Sequence, residues 1–229
     1  MGTEPVAFFE QHAGVFAGFY QKNTLKDRYA TWTSLIDKYG KPGASVLDAG
    51  CGPGVLTQHA AQKAASVLAV DGSEAMLSEG RAMAVRANLS NVSFKRAMLA
   101  DVPAVALGEF DLVLCSSVVE YMDDLDTTFD VLCAAVAKGG TLLVSMPNFL
   151  SLNRHFQKLT FRLIGRPGNV VHIKHMATAS GLGSQLERRG MVTQEVRYYG
   201  SIFSLAPERN ILWPRCLFND LFVLAARRV

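Results

Sequence analysis

The chain has 229 residues, 49% of them hydrophobic and 19% charged, which suits one domain with an insertion and excludes a disordered, collagen-like or disulfide-scaffold protein. The formal net charge of +3 is unevenly distributed, because residues 1–150 have 11 Lys/Arg and 16 Asp/Glu whereas residues 151–229 have 12 and 4. The positive excess in the second part favours an anionic partner there.

Short apolar runs alternate with helix-length segments from residue 45 onward, as is typical of a parallel α/β sheet. Strands are predicted at 45–49, 66–71, 92–96, 110–116 and 140–146, and helices at 55–64, 73–87 and 124–138. Two further strands, at 192–199 and 220–228, leave little room for a helix between them and therefore pair antiparallel or lie apart. Residues 147–177 break the alternation and are predicted to form an insertion after the fifth strand, where loops build the binding crevice of such sheets.

A glycine-rich loop joins the first predicted strand to the first predicted helix. Gly50, Gly52 and Gly54 follow the apolar strand at alternate positions. Glycines allow the backbone to turn tightly and allow a ligand to approach where a Cβ atom would clash, and the helix that follows offers free backbone N–H groups. In this strand–loop–helix context the glycines indicate a nucleotide-type binding site.

Two acidic residues flank this loop in the predicted fold. Asp71 ends the second strand, where an acidic side chain is expected to bind ribose hydroxyls; helix N-capping is its alternative role, for which Ser73 is also available. Asp48 directly precedes the loop and would repel a pyrophosphate, so it is expected to bind an amino group or to order the loop. Val55 occupies the position of the third glycine of the dinucleotide fingerprint, and together with Asp48 it disfavours a nicotinamide-dependent oxidoreductase.

In combination, these motifs resemble those of the class I S-adenosylmethionine-dependent methyltransferases. The resemblance extends over about residues 42–147 and rests on the run Asp48-Ala49-Gly50-Cys51-Gly52-Pro53-Gly54, on Asp71, on Phe110-Asp111-Leu112-Val113 and on Gly139-Gly140. It implies a Rossmann-like, doubly wound, seven-stranded α/β sheet whose last strand is antiparallel. It also implies a single domain, with an N-terminal helical lid at 1–40, a cofactor-binding core at 42–147, a helical substrate-side insertion at 148–177 and a sheet completion at 178–229.

The activity that the resemblance implies is transfer of a methyl group from S-adenosylmethionine to a small molecule. In-line displacement at a sulfonium methyl releases a neutral leaving group, so it depends mainly on positioning, together with deprotonation if the acceptor is a hydroxyl. We expect O-methylation first and N-methylation second.

The N-terminal segment is expected to form the lid. Residues 8–20 are rich in Phe and Tyr, like the segment that covers the cofactor in this family. A core-packed helix is the alternative, but Gly14 and Gly18 weaken it by about 1 kcal/mol each. Tyr20 and Arg28 are candidates for contact with cofactor or substrate.

Ten residues are expected to bind the cofactor. In this family the glycine loop lies under the methionine part, and the acid that matches Asp71 binds both ribose hydroxyls. Met98 departs from the family pattern, which often has an Asp there that accepts a hydrogen bond from the adenine amino group. Met accepts hydrogen bonds poorly, so packing is expected to hold the adenine, with Asp101 as an alternative acceptor and a catalytically silent cofactor-binding module as an alternative function. The expected set is Asp48, Gly50, Gly52, Gly54, Asp71, Gly72, Met76, Met98, Leu99 and Ser116.

Three residues are expected to act on the acceptor side. After the fourth strand the chain has Glu120-Tyr121 where relatives frequently have Glu-His, and Tyr121 either faces the substrate or packs against a helix. His172 or His175 suits a general base for a phenol, a hydroxyl or an amine, although surface or capping histidines are the alternative. No Cys, Asp or Glu stands nearby in the sequence to complete a metal site with them, so no metal is expected. The catalytic candidates are His175, His172 and Tyr121.

Residues 149–166 are predicted to form a basic amphipathic helix within the insertion. Arg154, Lys158, Arg162 and Arg166 recur at intervals of four, which places them along one face, and the apolar side chains lie largely on another. Such a helix contacts an anionic membrane surface or an anionic ligand, and a solvated surface helix is the alternative. We therefore expect an anionic or lipid-like small-molecule acceptor and peripheral membrane contact. No nucleic acid partner is expected, because the Asn/Asp-Pro-Pro-aromatic motif of base methylation is absent.

The remaining composition indicates the compartment. No run of about 18 apolar residues occurs, and the N-terminus lacks the basic and apolar regions of a secretory signal. The four cysteines are scattered without a C-x-x-C pair, which favours buried free thiols over zinc ligands or disulfides. The sequence therefore predicts a cytoplasmic protein.

Overall fold

Seven β-strands form one sheet in the computed structural model, which describes residues 6–7, 10–11, 26–104, 109–156, 173–201 and 215–229. The strands are β1 Ser45–Ala49, β2 Ser66–Asp71, β3 Val92–Arg96, β4 Phe110–Cys115, β5 Val136–Pro147, β6 Met191–Ser201 and β7 Asn219–Arg228. The helices are α1 Lys26–Tyr39, α2 Val55–Ala61, α3 Glu74–Arg86, α4 Leu125–Ala135, α5 Ala179–Glu187 and α6 Arg215–Phe218. Two 3₁₀ segments lie at Leu99–Ala104 and Val119–Tyr121.

The order of the strands creates a switch point between β1 and β4. The sheet has the order β3-β2-β1-β4-β5-β7-β6. Strands β1 to β5 pair in parallel, and β7 is inserted antiparallel between β5 and β6. This confirms the predicted doubly wound, seven-stranded α/β sheet and its antiparallel last strand. Ligands of such sheets bind outside the carboxyl ends of the strands at the switch point.

Apolar side chains cover both faces of the sheet, as expected for parallel strands with nearly continuous hydrophobic sequences. On one face, α4 and α5 pack Phe129 and Leu186 against the sheet, and on the other, α1 packs Trp32 and Leu35. Each fully buried side chain of this kind contributes about 1.5–3 kcal/mol to the free energy of unfolding. Helix α1 is therefore part of the core, and the lid expected for residues 1–40 stays a prediction for those that precede α1.

The boundary between α4 and β5 differs from the prediction. The strand already begins at Val136, so the helix predicted over 124–138 is too long and the strand predicted over 140–146 is too short. Val136 is fully buried and pairs with Phe110 of β4, and this pairing overrides the local helix pattern. The guanidinium of Arg228 also donates a hydrogen bond to the Val136 carbonyl at 2.6 Å, so the chain's last strand helps to end the helix.

Helix α5 has no counterpart among the predicted elements. Thr178 caps it, since its Oγ1 accepts a hydrogen bond from the Gly181 N–H at 3.0 Å. The helix contains two glycines, which lower its intrinsic helix propensity and conceal it in the sequence. Leu182 and Leu186 are buried against the core, and this packing stabilises the helix instead.

Side chains at the base of the insertion bond to the start of β7. The carboxylate of Asp220 accepts hydrogen bonds from Ser151 Oγ at 2.8 Å and from Asn153 Nδ2 at 2.6 Å. The side-chain amide of Asn148 donates to the Asn219 carbonyl at 2.8 Å. The insertion therefore leaves the carboxyl end of β5 in a fixed direction.

The predicted basic helix over 149–166 is described only in its first part. Residues 152–156 are helical, and the segment that contains Lys158, Arg162 and Arg166 lies outside the described residues. Arg154 is half-buried and donates to the Asp220 carbonyl at 3.4 Å, so it does not belong to a solvent-facing basic row. Within the described part of the chain, no helix combines the length and the apolar character that crossing a membrane requires.

Candidate active site

The glycine loop connects β1 to α2 at the switch point. Gly50, Gly52 and Gly54 have φ angles of 77°, 53° and 76°, a region that favours glycine. The Gly50 N–H donates to the Val70 carbonyl at 2.7 Å. A Cβ atom on Gly50 would lie 2.2 Å from Cγ2 of Val118, whereas one on Gly52 would meet nothing within 4 Å. The loop is therefore packed at Gly50 and open at Gly52, where a ligand can approach the backbone.

Asp48 lies buried at the end of β1, with 1% of its surface exposed. Its Oδ2 accepts a hydrogen bond from Thr57 Oγ1 at 2.6 Å, which joins β1 to α2. Burial raises the pKa of this carboxyl to about 6; the bond from Thr57 opposes the rise, and the negative charge of Asp71 adds to it. Of the two roles expected for Asp48, the contact with Thr57 supports the ordering of the loop.

Asp71 joins the glycine loop to the start of α3. Its Oδ2 accepts the Gly52 N–H at 2.8 Å, and its Oδ1 accepts the Ser73 N–H at 2.9 Å. Burial raises the pKa of Asp71, and these backbone hydrogen bonds oppose the rise. Ser73 caps α3, because its Oγ accepts the Met76 N–H at 3.2 Å, so the alternative in which Asp71 is the N-cap is wrong.

Gly72, Met98 and the N-terminal segment meet beside Asp71. A Cβ atom on Gly72 would lie 3.0 Å from Sδ of Met98 and 3.4 Å from Cγ2 of Val6. The Oε1 atom of Glu10 accepts a hydrogen bond from the backbone N–H of residue 75 at 3.3 Å. The structure thus brings Asp71, Gly72 and Met98 together, with residues of the N-terminal segment against them.

Two other expected cofactor residues lie in the protein interior. Met76 and Leu99 are 3% and 7% exposed. Leu99 packs in the same core cluster as Val70 and Val102. These side chains support the site from within, and their direct contact with a cofactor stays a prediction.

The carboxyl end of β4 joins the site through Ser116. Arg28 of α1 donates through Nη2 to Ser116 Oγ at 2.7 Å and to its carbonyl at 3.4 Å. The next residue, Ser117, has a φ angle of 56°, which is uncommon for serine and is often found at functional sites. Its N–H donates to Ser145 Oγ at 2.9 Å. Arg28, a predicted contact residue, is thereby brought to the end of β4.

His175 lies beside the 3₁₀ turn that follows β4. Its backbone N–H and that of Lys174 donate to the Glu120 carbonyl at 3.3 and 2.9 Å. The ring nitrogen Nε2 is 3.0 Å from the Met122 carbonyl, and because a carbonyl only accepts, Nε2 bears the proton and Nδ1 is left as the acceptor in the neutral ring. This bond orients the ring, and a role for His175 as a base stays a prediction.

Tyr121 is half-buried against the core. Burial, and after it the negative charge of Glu120, raises the pKa of the Tyr121 phenol above its usual range. The phenol is therefore protonated near neutral pH and suits hydrogen-bond donation better than proton uptake. His172 and Tyr20 lie outside the described residues. Where the structure describes the chain, no group of three His, Cys, Asp or Glu side chains is placed to hold a metal ion.

A family model for the methyltransferase domain matches residues 40–198, well over half of the chain. The chain belongs to the class I S-adenosylmethionine-dependent methyltransferases. Curated relatives of this methyltransferase include the ubiquinone biosynthesis O-methyltransferases of Acinetobacter baumannii (strain AYE), 30% identical over 160 residues, and of Hahella chejuensis, 32% identical over 131 residues. The first alignment covers 69% of this chain and 62% of the relative, and the second covers 57% and 52%. The chain therefore spans less than two thirds of the length of these relatives.

Solved methyltransferase structures share the fold. Magnesium protoporphyrin IX methyltransferase from Synechocystis PCC 6803, solved with bound SAH, has a TM-score of 0.69 and 20% identity, and the match covers 92% of this chain and 88% of that one. An S-adenosylmethionine dependent methyltransferase from Mesorhizobium loti has a TM-score of 0.64 and 21% identity, with 87% and 96% covered. At these identities the likeness shows the fold alone, and it agrees with the seven-stranded sheet.

One residue of this methyltransferase that the sequence analysis did not assign to the site is Glu120. Its side chain is 2% exposed, and its Oε2 atom has no hydrogen-bond partner among the described residues. Burial raises its pKa to about 7, against the opposing charges of Arg28 and Arg154. The available sequence signal is an acid within an apolar run directly after a buried strand. The two arginines are distant in sequence, so only the fold shows the cluster.

Proposed function

We propose that the chain transfers a methyl group from S-adenosylmethionine to a hydroxyl oxygen of a small molecule. The observation that supports the cofactor is the Asp71 carboxylate beside the open side of the glycine loop, in a chain of this family. Each carboxylate oxygen accepts one backbone N–H, from Gly52 or Ser73, and retains a lone pair. The two vicinal hydroxyls of a ribose present two O–H donors to such a pair of oxygens, so these residues fit the nucleoside part of the cofactor.

The surrounding residues fit the other parts of the cofactor. The open backbone at Gly52 suits the methionine part, and Met98 offers adenine a polarisable apolar contact without a strong acceptor. Val6 and Glu10, which contact Gly72 and the start of α3, support a lid formed by the residues before α1. When bound, the cofactor supplies an electrophilic methyl group on a sulfonium centre, so the task of the chain's own residues is to position the acceptor in line with it.

Transfer to oxygen rather than nitrogen is supported by the relatives, which are O-methyltransferases by name. An anionic acceptor is supported by Arg28 and Arg154, whose positive charges lie near the end of β4 and the base of the insertion. N-methylation of a small molecule is the second candidate. The absence of a strong acceptor at Met98 favours a further alternative, a catalytically silent cofactor-binding protein. Such a protein would bind the cofactor but would not form S-adenosylhomocysteine in the presence of acceptors.

Isothermal titration calorimetry with S-adenosylhomocysteine tests the cofactor assignment. The wild type is expected to bind, and Asp71→Asn is expected to bind about tenfold or more weakly, because hydrogen bonds to a charged group contribute about 1.5–3 kcal/mol. Glu187→Gln makes the same chemical change at an exposed position and is expected to keep the wild-type affinity. No binding by the wild type would contradict the proposal, and unchanged binding by Asp71→Asn would contradict the ribose assignment.

We also propose that the insertion contacts an anionic membrane surface. Four of the eight large apolar side chains that are exposed among the described residues fall within eight residues at its start, with exposures of 40–63%. The sequence continues with Lys158, Arg162 and Arg166, and no acidic residue occurs between Asp130 and Glu187. Apolar side chains next to basic ones are the combination that binds anionic lipid. The four apolar residues are Phe149, Leu150, Leu152 and Phe156.

Flotation with liposomes of phosphatidylcholine and phosphatidylglycerol tests this contact. The wild type is expected to float with the liposomes, and the Phe149→Ser/Phe156→Ser variant is expected to lose most of this binding because its apolar contact is removed. Val85→Ser/Val192→Ser changes two exposed apolar residues on α3 and β6, 75% and 45% exposed, and is expected to float like the wild type. Equal flotation of the Phe variant and the wild type would contradict the proposal.

A further inference from the structure

Glu120 is a buried carboxylate with an incomplete set of hydrogen bonds. It lies in the 3₁₀ turn directly after β4, and its side chain is 2% exposed. Its Oε2 atom has no hydrogen-bond partner among the described residues. Burying an acceptor in this way costs free energy, and buried polar groups of native proteins are otherwise satisfied. This Oε2 atom therefore indicates that a ligand supplies the hydrogen-bond donor.

The positive charges of two arginines from separate segments act on Glu120. Arg28 belongs to α1 and Arg154 to the insertion, and the positive charges of both lower the pKa of Glu120, against the larger effect of burial, which raises it. Both side chains are also bonded elsewhere, Arg28 to Ser116 Oγ at 2.7 Å and Arg154 to the Asp220 carbonyl at 3.4 Å. Each of the two cations is thus held by a group other than Glu120.

The other groups that face Glu120 are hydroxyls, a thiol and backbone N–H groups. Ser117 lowers the pKa of its side chain, and Lys174 and His175 contact it through backbone N–H groups that donate to its carbonyl. The remaining neighbours are titratable groups whose pKa values are raised by burial and also by the charge of Glu120: Tyr121, Tyr199 and Cys115. The charge of Glu120 therefore depends on burial and on the two arginines.

The turn that contains Glu120 lies against the glycine loop. Val118, which precedes Glu120 by two residues, packs closely on Gly50. A Cβ atom built on Gly50 would lie 2.2 Å from Cγ2 of Val118. On its other sides the turn meets the insertion, whose Lys174 N–H donates to the Glu120 carbonyl at 2.9 Å, and α1, whose Arg28 bonds to Ser116 just before the turn. The carboxylate is therefore placed where the cofactor side of the site meets the expected acceptor side.

We propose that Glu120 is the catalytic residue that accepts a hydrogen bond from the acceptor hydroxyl and takes up its proton. This inference rests on the proposed O-methylation. A lone pair of the acceptor oxygen forms the bond to the methyl carbon, the carbon–sulfur bond breaks with its electron pair going to sulfur, and the O–H proton passes to the Glu120 carboxylate and then to water.

The class of acceptor that fits this base is a phenol. A carboxylate with a pKa of about 7 takes a proton from a phenol of pKa about 10 across a gap of about three units. For a hydroxyl that ionises like water, whose pKa lies far above that of a phenol, the gap is much larger. Arg28 and Arg154 add positive charge where negative charge develops on the phenol oxygen.

Binding without turnover tests the role of Glu120. The probes are 4-methylphenol and 4-methylanisole, which differ in whether the oxygen has a proton, titrated by ligand-observed NMR with S-adenosylhomocysteine present. At pH 8 the wild type is expected to prefer the phenol about tenfold or more, because the hydroxyl donates to a charged acceptor. This preference is expected to fall as the pH drops through about 7, where Glu120 becomes protonated. Glu120→Gln is expected to lose the preference and its pH dependence.

Arg154→Gln provides a second readout that a merely structural role would not move. The substitution removes the positive charge of Arg154, which lowers the pKa of Glu120. The pH at which half of the preference for the phenol is lost is therefore expected to rise. Glu187→Gln is expected to leave the midpoint unchanged. If Glu120→Gln does not fold, the wild-type profile and the Arg154→Gln midpoint decide the question.

The outcomes separate this inference from the proposed function. The role of Glu120 is overturned if the wild type does not bind the phenol, or if its preference for the phenol does not change with pH. It is also overturned if the preference persists in Glu120→Gln. The affinity for S-adenosylhomocysteine is measured in the same samples. If the wild type does not bind it, the proposed function fails; if it binds while the phenol preference is absent, only the role of Glu120 fails.

Discussion

The three carboxyl groups of the site differ in the hydrogen bonds that they accept. Asp71 accepts a backbone N–H on each oxygen, Asp48 accepts the hydroxyl of Thr57, and Glu120 leaves Oε2 without a partner in the described part of the chain. Burial raises the pKa of all three, and the hydrogen bonds oppose the rise because they stabilise the charged form. Glu120, with a pKa of about 7, is therefore able to exchange a proton near neutral pH.

Asp48 makes the stability of the fold depend on pH. Its pKa is about 6 in the folded chain against an ordinary 3.8, so the folded state binds this proton more tightly and stability falls as the pH rises from about 4 to about 6. Asp48→Asn is expected to remove this part of the dependence, on the order of 3 kcal/mol, in urea unfolding at pH 4 and pH 7. Asp101→Asn, at an exposed position, is expected to keep the wild-type profile. An unchanged profile in Asp48→Asn would contradict the raised pKa.

At the scale of elements, the sequence predicts the ends of those strands and helices that are determined by neighbouring residues. Strands β1, β2 and β3 begin and end where the sequence places them, because turns and caps bound them. The start of β5 at Val136 depends on its pairing with Phe110 and on the hydrogen bond from Arg228, and both are remote in the sequence. Helix α5 is missed because its two glycines hide a helix that tertiary packing stabilises.

Alanine substitutions at Gly43 and Gly52 distinguish the effect of backbone strain on stability from the effect of a Cβ atom on ligand binding. Their φ angles are 79° and 53°, and a Cβ atom on either would meet nothing within 4 Å. Alanine at either position is therefore expected to lower the free energy of unfolding by about 1–2 kcal/mol through backbone strain alone. Only Gly52→Ala is expected to weaken S-adenosylhomocysteine binding in calorimetry, because its Cβ atom occupies the open side of the loop beside Asp71. Equal affinities for the two variants would show that no ligand approaches Gly52.

At the scale of the whole molecule, the site combines one local motif with contacts between distant segments. The glycine loop and Asp71 lie within 25 residues of one another, so a single stretch of sequence predicts them. Arg28 and Ser116 are 88 residues apart, and both Arg28 and Arg154 lie outside the segment 42–147 that the family motifs cover. The cofactor side is therefore predictable from the sequence, whereas the charge cluster around Glu120 requires the fold.

Polar contacts in the interior connect α1 to β6 and to the turn after β4. Trp32 Nε1 of α1 donates to the Tyr199 hydroxyl of β6 at 3.2 Å. Ser145 of β5 lowers the pKa of the Tyr199 phenol, and its Oγ accepts the Ser117 N–H at 2.9 Å. These contacts therefore link α1 and β6 to the turn after β4.

Tyr199→Phe tests how strongly these contacts stabilise the molecule. Trp32 and Tyr199 are fully buried, so loss of the hydroxyl leaves the indole N–H without a partner and is expected to lower the free energy of unfolding by about 1–3 kcal/mol. For a chain of this size, thermal unfolding followed by circular dichroism should show a Tm lower by about 2–4 °C for each kcal/mol. Tyr198→Phe removes the same atom from the adjacent, half-buried tyrosine and is expected to change stability by less than about 0.5 kcal/mol. If the two variants lose equal stability, the loss does not depend on burial of the hydroxyl. The contact between Trp32 and Tyr199 then contributes no more than a surface contact.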